Sequence, residues 1–223
     1  MTLRPLSDVS AADWFVNDEA PLILRANLGP SGFAAYARVL HGWGVNAAGS
    51  KEDRWEGHLD DPLLIALCQD LALHTTTSDD CFFGLWDGYG DLYGGESAQF
   101  LTAFAGPVPW PARPFRKPRP KESPPPAFPA SVLDGPKVDD HYLLFGGKLS
   151  EAGDWGAADW GHGIRRAVNS PNLMWPADRA WFVTTNIDRT WTGIGGSTEL
   201  IDDLLRDPRL EVVRTRYDQE ALR

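Results

Sequence analysis

The best candidate for acid–base chemistry in this chain is the stretch DWGAADWGH, residues 154 to 162. Asp154 and Asp159 precede His162, and a carboxylate near an imidazole can orient the ring for proton transfer. The glycines between them permit close approach of a ligand. The pattern favours acid–base catalysis by Asp154, Asp159 and His162, but a histidine in an ordinarily solvated loop explains the same residues.

Tryptophans offer a second kind of site, because indole rings can stack on a sugar or a base. The residues that we assign to binding are Trp155, Trp160, Trp175, Asp178, Arg179 and Trp191. Two carboxylates beside such a groove would suit glycoside hydrolysis. Alternatively, these rings and that of Trp181 pack a sheet, and Asp178-Arg179 forms a turn fixed by a charge pair or an Asx bond.

A glycine-rich turn, GIGGST, lies before a predicted helix at residues 193 to 198. Free N–H groups at a helix start attract phosphate, but the sequence has neither a complete GxGxxG nor a Gly-Lys-Ser/Thr motif. We therefore favour Ser197 as an N-cap. No GxSxG is present, and the five histidines are scattered without metal-ligand spacing, so the sequence predicts no metal and no cofactor.

Composition and charge restrict the classes of partner that this protein is expected to bind. The formal net charge is −10, which disfavours nucleic acid and anionic membranes and favours a basic protein partner. No run of eighteen apolar residues occurs and the first residues lack a signal-peptide pattern, so a soluble cytoplasmic protein is expected. Cys68 and Cys81 are the only cysteines and are predicted to be buried thiols. The oligomeric state is left open.

The elements expected to position these residues indicate an α+β fold with a mainly antiparallel sheet and helices packed on it. Helical spacing predicts a helix at residues 30 to 40, a loop at 41 to 57, and a helix with Asp61 as N-cap and Pro62 at its first position. Further helices are predicted in GIRRAV and TELIDDLLRD. Strands are predicted in CFFGLWDGYG, DHYLLFGG, DRAWFVTTNID and LEVVRTR.

A change of composition divides the chain. Residues 1 to 105 form the N-terminal helical segment and first strands, and residues 137 to 223 form a C-terminal α+β segment that shares one core with it. Between them, residues 106 to 136 are rich in proline and carry a basic cluster. Proline excludes a helix or a central strand there, so we expect a linker or an extended crossing. A PxxP ligand in PARPFRKPRP is the alternative.

Several stretches together resemble a group of uncharacterised actinobacterial proteins: GPSGFAAYARVLH, HTTTSDDCFFGLWDGYG, HYLLFGG and SPNLMWPADRAWFVTTNID. The order of N-terminal helices, GLWDGYG, and a late strand, GGS, helix and strand is also similar to the SUKH superfamily. That superfamily includes immunity proteins that bind and neutralise toxins. The resemblance implies a protein-binding function without an assigned activity.

Two functional hypotheses follow from these observations. The first is a non-catalytic protein-binding module, of an immunity or regulatory type, that uses an acidic and aromatic surface to bind a basic partner. The alternative is a hydrolase or transferase, which requires one concave pocket where four side chains converge. Those side chains are Trp155, Asp159, His162 and Trp181.

Overall fold

The computed structural model describes residues 2 to 45, 51 to 54, 56 to 94, 125 to 160 and 165 to 218. The strands in these ranges are β1 (Arg4–Pro5), β2 (Ala35–Leu40), β3 (Trp43–Val45), β4 (Lys51–Arg54), β5 (Cys81–Trp86), β6 (Lys137–Val138), β7 (Tyr142–Gly147), β8 (Leu173–Pro176), β9 (Phe182–Thr184), β10 (Trp191–Gly196) and β11 (Val212–Thr215). The α-helices in the same ranges are α1 (Asp13–Val16), α2 (Leu22–Leu28), α3 (Asp61–Leu73), α4 (Ala130–Leu133) and α5 (Thr198–Arg206). The described residues also form 3₁₀ turns at Ser10–Ala12, Gly90–Tyr93 and Leu149–Glu151.

Nine of the described strands form one antiparallel sheet in the order β1-β7-β5-β8-β9-β10-β2-β11, with β6 paired to β7. Strand β2 lies between β10 and β11, and β5 lies between β7 and β8. Strands from before and after the proline-rich segment are therefore interleaved within one sheet. The predicted α+β class with a mainly antiparallel sheet is confirmed.

Helices cover both faces of this sheet. Along β2, Ala37 and Val39 face a large cluster that includes residues of α3 and α5, whereas Tyr36 packs with Leu24 and Leu28 of α2 on the other face. Successive strand residues point to opposite faces, so a strand covered on both sides is apolar throughout. None of the helices in the described ranges is both long and apolar enough to cross a membrane.

The two longer helices begin at side-chain caps. The Asp60 carboxylate accepts a hydrogen bond from the Leu63 amide at 3.1 Å, so the cap of α3 lies one residue before the predicted Asp61. The Ser197 hydroxyl accepts from the Leu200 amide at 3.1 Å, which confirms the predicted cap of α5. The glycines that precede Ser197 belong to β10 rather than to a turn.

The predicted helix at residues 30 to 40 is wrong, because residues 35 to 40 form β2. The spacing that suggested a helix arises because both faces of this strand are covered, which removes the usual alternation. The predicted loop at 41 to 57 contains the β3–β4 hairpin instead, with Trp55 outside the described residues. Strand β8 was not predicted at all.

Two further expectations concern the middle of the chain. Residues 106 to 124 lie outside the described ranges, but the expectation that the proline-rich segment excludes helix is wrong at α4. Pro129 is its N-cap at φ −64°, a position where the missing amide of proline costs nothing. The helix expected in GIRRAV is not formed at the described residues 165 to 168.

Helix α2 approaches β10 closely at Gly193. A Cβ atom placed on Gly193 would lie 2.0 Å from the backbone oxygen of Asn27, and this neighbour is backbone that cannot rotate away. The seating of α2 on the sheet therefore requires glycine at this position.

We expect Gly193→Ala to lower the free energy of unfolding by roughly 2 to 3 kcal/mol, because α2 must shift away from the sheet. Urea denaturation measures this loss. Gly146→Ala is the matched control, since a methyl group there would meet only the flexible side chain of Leu6 at 3.2 Å, and its effect should stay within about 1 kcal/mol. Equal losses for the two variants would contradict the close contact.

Candidate functional site

The structure brings some of the predicted acid–base residues together. Asp154, Trp155 and Asp159 line a polar cleft of about 270 Å³, together with Arg165 and Arg166. The third predicted acid–base residue, His162, lies outside the described residues. The cleft is therefore lined by two acidic and two basic residues, a composition that suits a polar ligand.

Arg166 is committed to the protein itself. Its Nε donates to the backbone oxygen of Ala158 at 2.9 Å, and its two terminal nitrogens donate to the backbone oxygens of Asp91 and Pro125. The guanidinium carbon of Arg166 lies 3.8 Å from the ring centre of Trp160. Burial is the main cause that lowers the pKa of Arg166. This side chain therefore ties three segments together under the cleft and has little capacity left for a ligand.

The other predicted tryptophans are buried in separate parts of the core. Trp155 is 3% exposed and donates to the Asn169 oxygen at 2.9 Å, whereas Trp181 is fully buried and donates to the Leu71 oxygen at 3.1 Å. Trp175 stacks on aromatic rings under the opposite face, and Trp191 packs near α2. These rings share no groove, and Trp181 does not line the cleft with Trp155 and Asp159. Their contacts are those of sheet packing.

Asp178 fastens the turn after α3 to the connection between β8 and β9. Its carboxylate accepts from the Thr75 hydroxyl at 2.8 Å, from the Thr76 amide and hydroxyl at 2.8 and 2.9 Å, and from the Ala180 amide at 3.2 Å. Partial burial raises the pKa of Asp178, but these hydrogen bonds outweigh it and the net pKa is lowered. The bond to Ala180 is the predicted Asx turn.

Arg179 does not pair with this carboxylate. It adopts φ +54°, and its guanidinium carbon lies 5.1 Å from the ring centre of Trp14. Neither member of the Asp178-Arg179 pair is therefore arranged as a clamp for a substrate carboxylate.

A groove that sequence reasoning missed runs along α3. It has a volume of about 310 Å³ and is lined by Ile65, Cys68, Gln69, Ala72, Ser78, Asp79, Leu149 and Ser150. Two large apolar side chains of the helix are exposed, Ile65 at 57% and Leu73 at 81%. The sequence did contain a signal for this groove. Apolar residues surround most of the circumference of α3, whereas a helix that packs on the core with one face needs only a single apolar stripe.

One acidic residue lines this groove and two more are close to it in the sequence. Asp79 lines the groove, is 79% exposed and pairs with Lys148 at 3.1 Å, and Asp61 and Asp80 are exposed. Cys68 in the groove wall is a free thiol, and burial, then Cys81, raises its pKa to about 12. A thiol that stays protonated is a poor nucleophile, so the groove is suited to binding rather than to covalent catalysis. Both cysteines are free and buried, as predicted.

Asp70, on the helix that forms the groove, shares a charge cluster with the turn after α5. Arg209 contacts Asp207 at 2.6 Å and Asp70 at 3.3 Å, and it also donates to the side chain of Gln69 in the groove wall. Burial, followed by the neighbouring Asp207, raises the pKa of Asp70 to about 6. Hydrogen bonding to Arg209 is the main cause that lowers the pKa of Asp207 to about 2.

Comparison with protein-family models, curated proteins and solved structures gives no match. Among the described residues, no three histidine, cysteine or acidic side chains gather in a way that could hold a metal ion. The arguments about function therefore rest on the geometry of the groove and the cleft.

The Asp70 pair predicts an unusual pH dependence of stability. Because the pKa of Asp70 is raised in the folded protein, its contribution is fully present below about pH 4 and is lost as pH rises through about 6. Asp207 acts in the opposite sense, and its contribution is lost only as pH falls towards about 2. We expect Asp70→Asn to stabilise the protein at about pH 7.5 by roughly 1 kcal/mol, with no such gain at about pH 4.

Urea denaturation at the two pH values measures this difference. Asp188→Asn, which changes an exposed carboxylate in a turn, is the matched control and should have the same small effect at both. An Asp70→Asn protein that loses stability at about pH 7.5 would show that the Asp70 carboxylate is a favourable partner of Arg209 rather than a repulsive neighbour of Asp207.

Proposed function

We propose that this protein is a non-catalytic protein-binding module that receives a basic, amphipathic segment of a partner protein in the groove along α3. The observation that carries the proposal is the exposure of Ile65 and Leu73 on a helix that also forms the wall of a 310 Å³ groove. Exposed apolar side chains beside a concave surface are typical of protein interaction sites.

The apolar contribution to binding comes from these two residues. Removing a leucine or isoleucine side chain from water contributes about 1.5 to 3 kcal/mol when burial is complete. Ala72 and Leu149 line the groove beside them, so an inserted apolar side chain would find further apolar contacts there. The same helix face also presents Gln69, whose side chain can hydrogen-bond to a partner's backbone.

The charge around the groove supports a partner that carries lysine or arginine. Asp61, Asp79 and Asp80 are exposed, and Lys148 compensates only Asp79. With a net charge of −10 for the whole chain, long-range attraction would speed the approach of a basic segment, and added salt would weaken it. An immunity-type or regulatory protein is the biological role that the SUKH resemblance adds to this proposal.

The polar cleft favours one alternative, a hydrolase or transferase. Asp154 and Asp159 lie on the same cleft, where one could act on a ligand held by the other. Hydrolysis of nitrophenyl esters, glycosides or phosphates that both Asp154→Asn and Asp159→Asn abolish would establish this alternative and overturn a purely non-catalytic role.

Binding of designed peptides tests the proposal directly. We expect a fluorescently labelled peptide with leucine and isoleucine at helical spacing and flanking lysines to bind in a saturable manner, measured by anisotropy at low salt. A peptide with glutamates in place of the lysines should bind at least tenfold more weakly, because Asp79 and the negative charge of the whole chain repel it. High salt should remove most of this difference.

The double variant Ile65→Ser and Leu73→Ser should weaken binding of the lysine peptide at least tenfold, because it removes the exposed apolar contacts. Leu22→Ser, at a side chain 63% exposed on α2, is the matched control and should bind as the unmodified protein does. Circular dichroism checks that the variants fold. Equal binding of the two peptides, or full binding by the double variant, would refute the groove as the docking site.

A further inference from the structure

Arg38 lies in the middle of β2, on the face of the sheet that α2 covers. Its guanidinium carbon is 5.3 Å from the ring centre of Trp191, and Trp191 is only 7% exposed. The Nε of Arg38 is shielded from solvent and has no hydrogen-bond partner. Arg38 as a whole is half-buried, and a shielded N–H donor without a partner is unfavourable, so this side chain needs an explanation.

Other arginines of this protein have hydrogen-bond or charge partners that Arg38 lacks. The Nε of Arg25 is also shielded without a partner, but another nitrogen of its guanidinium donates to the backbone oxygens of Phe15 and Val16. Arg166 donates to backbone oxygens as well, and Arg214, which is exposed on the opposite face of the sheet, pairs with Asp202. In the part of the chain that the structure describes, no carboxylate pairs with Arg38. This is unexpected in a protein with a net charge of −10, where carboxylates outnumber cations.

A second arginine reaches the same patch. Arg189 donates from Nε to the side-chain oxygen of Asn27 at 3.1 Å, and within the described ranges it also has no carboxylate partner. Asn27 lies directly over Gly193, and Gly193 is the residue opposite Arg38 in the β10–β2 pairing. Arg38 is therefore the strand partner of the glycine that Asn27 covers, and Arg189 bonds to the side chain of the same asparagine.

Apolar side chains surround these two cations. Val213 of β11 is paired with Arg38 in register and is 40% exposed, and Ile23 of α2, one helical turn before Asn27, is 45% exposed. The indole of Trp191 lies beneath the guanidinium of Arg38. The patch thus combines two uncompensated positive charges with accessible apolar surface.

We propose that this patch is a binding site for an oxyanion, a carboxylate or a phosphate, carried on an apolar body. A guanidinium group presents parallel N–H donors that match the two oxygens of such an anion, and its stacking on Trp191 restricts its orientation before the ligand arrives. The ligand's anion supplies the missing counter-charge, and its apolar part covers Ile23 and Val213. The site is separate from the groove along α3, because the two lie on opposite faces of the sheet.

Thermal unfolding with two small probes tests the site. Phenyl phosphate and benzoate each combine an oxyanion with an aromatic ring, and benzyl alcohol at matched ionic strength controls for the ring alone. We expect at least one anion to raise the unfolding temperature in a saturable manner by about 2 °C or more, and benzyl alcohol to leave it unchanged. A larger effect of phenyl phosphate would assign a phosphate-bearing ligand, and a larger effect of benzoate a carboxylate.

Arg38→Met should retain the packing against Trp191 while removing the charge. We expect its unfolding temperature without ligand to equal or exceed that of the unmodified protein, and the shift caused by the anion to disappear. Arg189→Gln should weaken the apparent affinity at least fivefold, and this second variant tests the site at a less critical position of the fold. Arg4→Met, at an exposed arginine in β1, is the matched control and should keep the full response.

The absence of a saturable shift with both anions would overturn the proposal. An Arg38→Met protein that responds as the unmodified protein does would overturn it as well, because the anion would then bind elsewhere. Neither result bears on the peptide groove, which is tested through Ile65 and Leu73.

Discussion

The antiparallel seam between β10 and β2 joins parts of the chain that lie 151 residues apart, as at His41 and Thr192, whose side chains bond at 2.9 Å. On one side of this seam, Gly193 leaves room for the backbone of α2, and on the other the sheet faces the cluster that contains α5. A shift of one residue in the register would reverse the two faces and place α2 against side chains rather than glycine. The arrangement of helices on both faces therefore depends on this pairing.

Several polar and aromatic side chains that could take part in catalysis or binding stabilise the fold instead. Asp178 holds the turn after α3, Arg166 joins three segments through backbone oxygens, and Trp181 donates to the end of α3. Polar groups that are removed from water need hydrogen-bond partners inside the protein. Each of these side chains is therefore hydrogen-bonded in the folded protein and is not available to a ligand. Residue types that suggest catalysis in a sequence are, in these three cases, the means by which loops are attached to the sheet.

The surfaces left for recognition differ in charge and lie on opposite faces. Along α3, Ile65 and Leu73 are exposed and Asp79 lines the groove, which suits a basic segment. Beyond α2, Arg38 and Arg189 stand among apolar side chains without an acidic partner, which suits an anion. The two sites could be occupied at the same time, because the sheet and its core separate them.

The sequence by itself determined the α+β class, helices α3 and α5 with the Ser197 cap of α5, strands β5, β7, β9 and β11, and the acidic character of the chain. These features depend on local signals: side-chain caps, apolar spacing within a short segment, and a count of charges. Only the tertiary structure decided that residues 35 to 40 form a strand, that the predicted tryptophans are divided among separate clusters, and that Arg38 lacks a partner. A strand covered on both faces loses its alternating pattern, and whether a charge is paired depends on residues distant in the sequence. Neither property can be read from neighbouring residues.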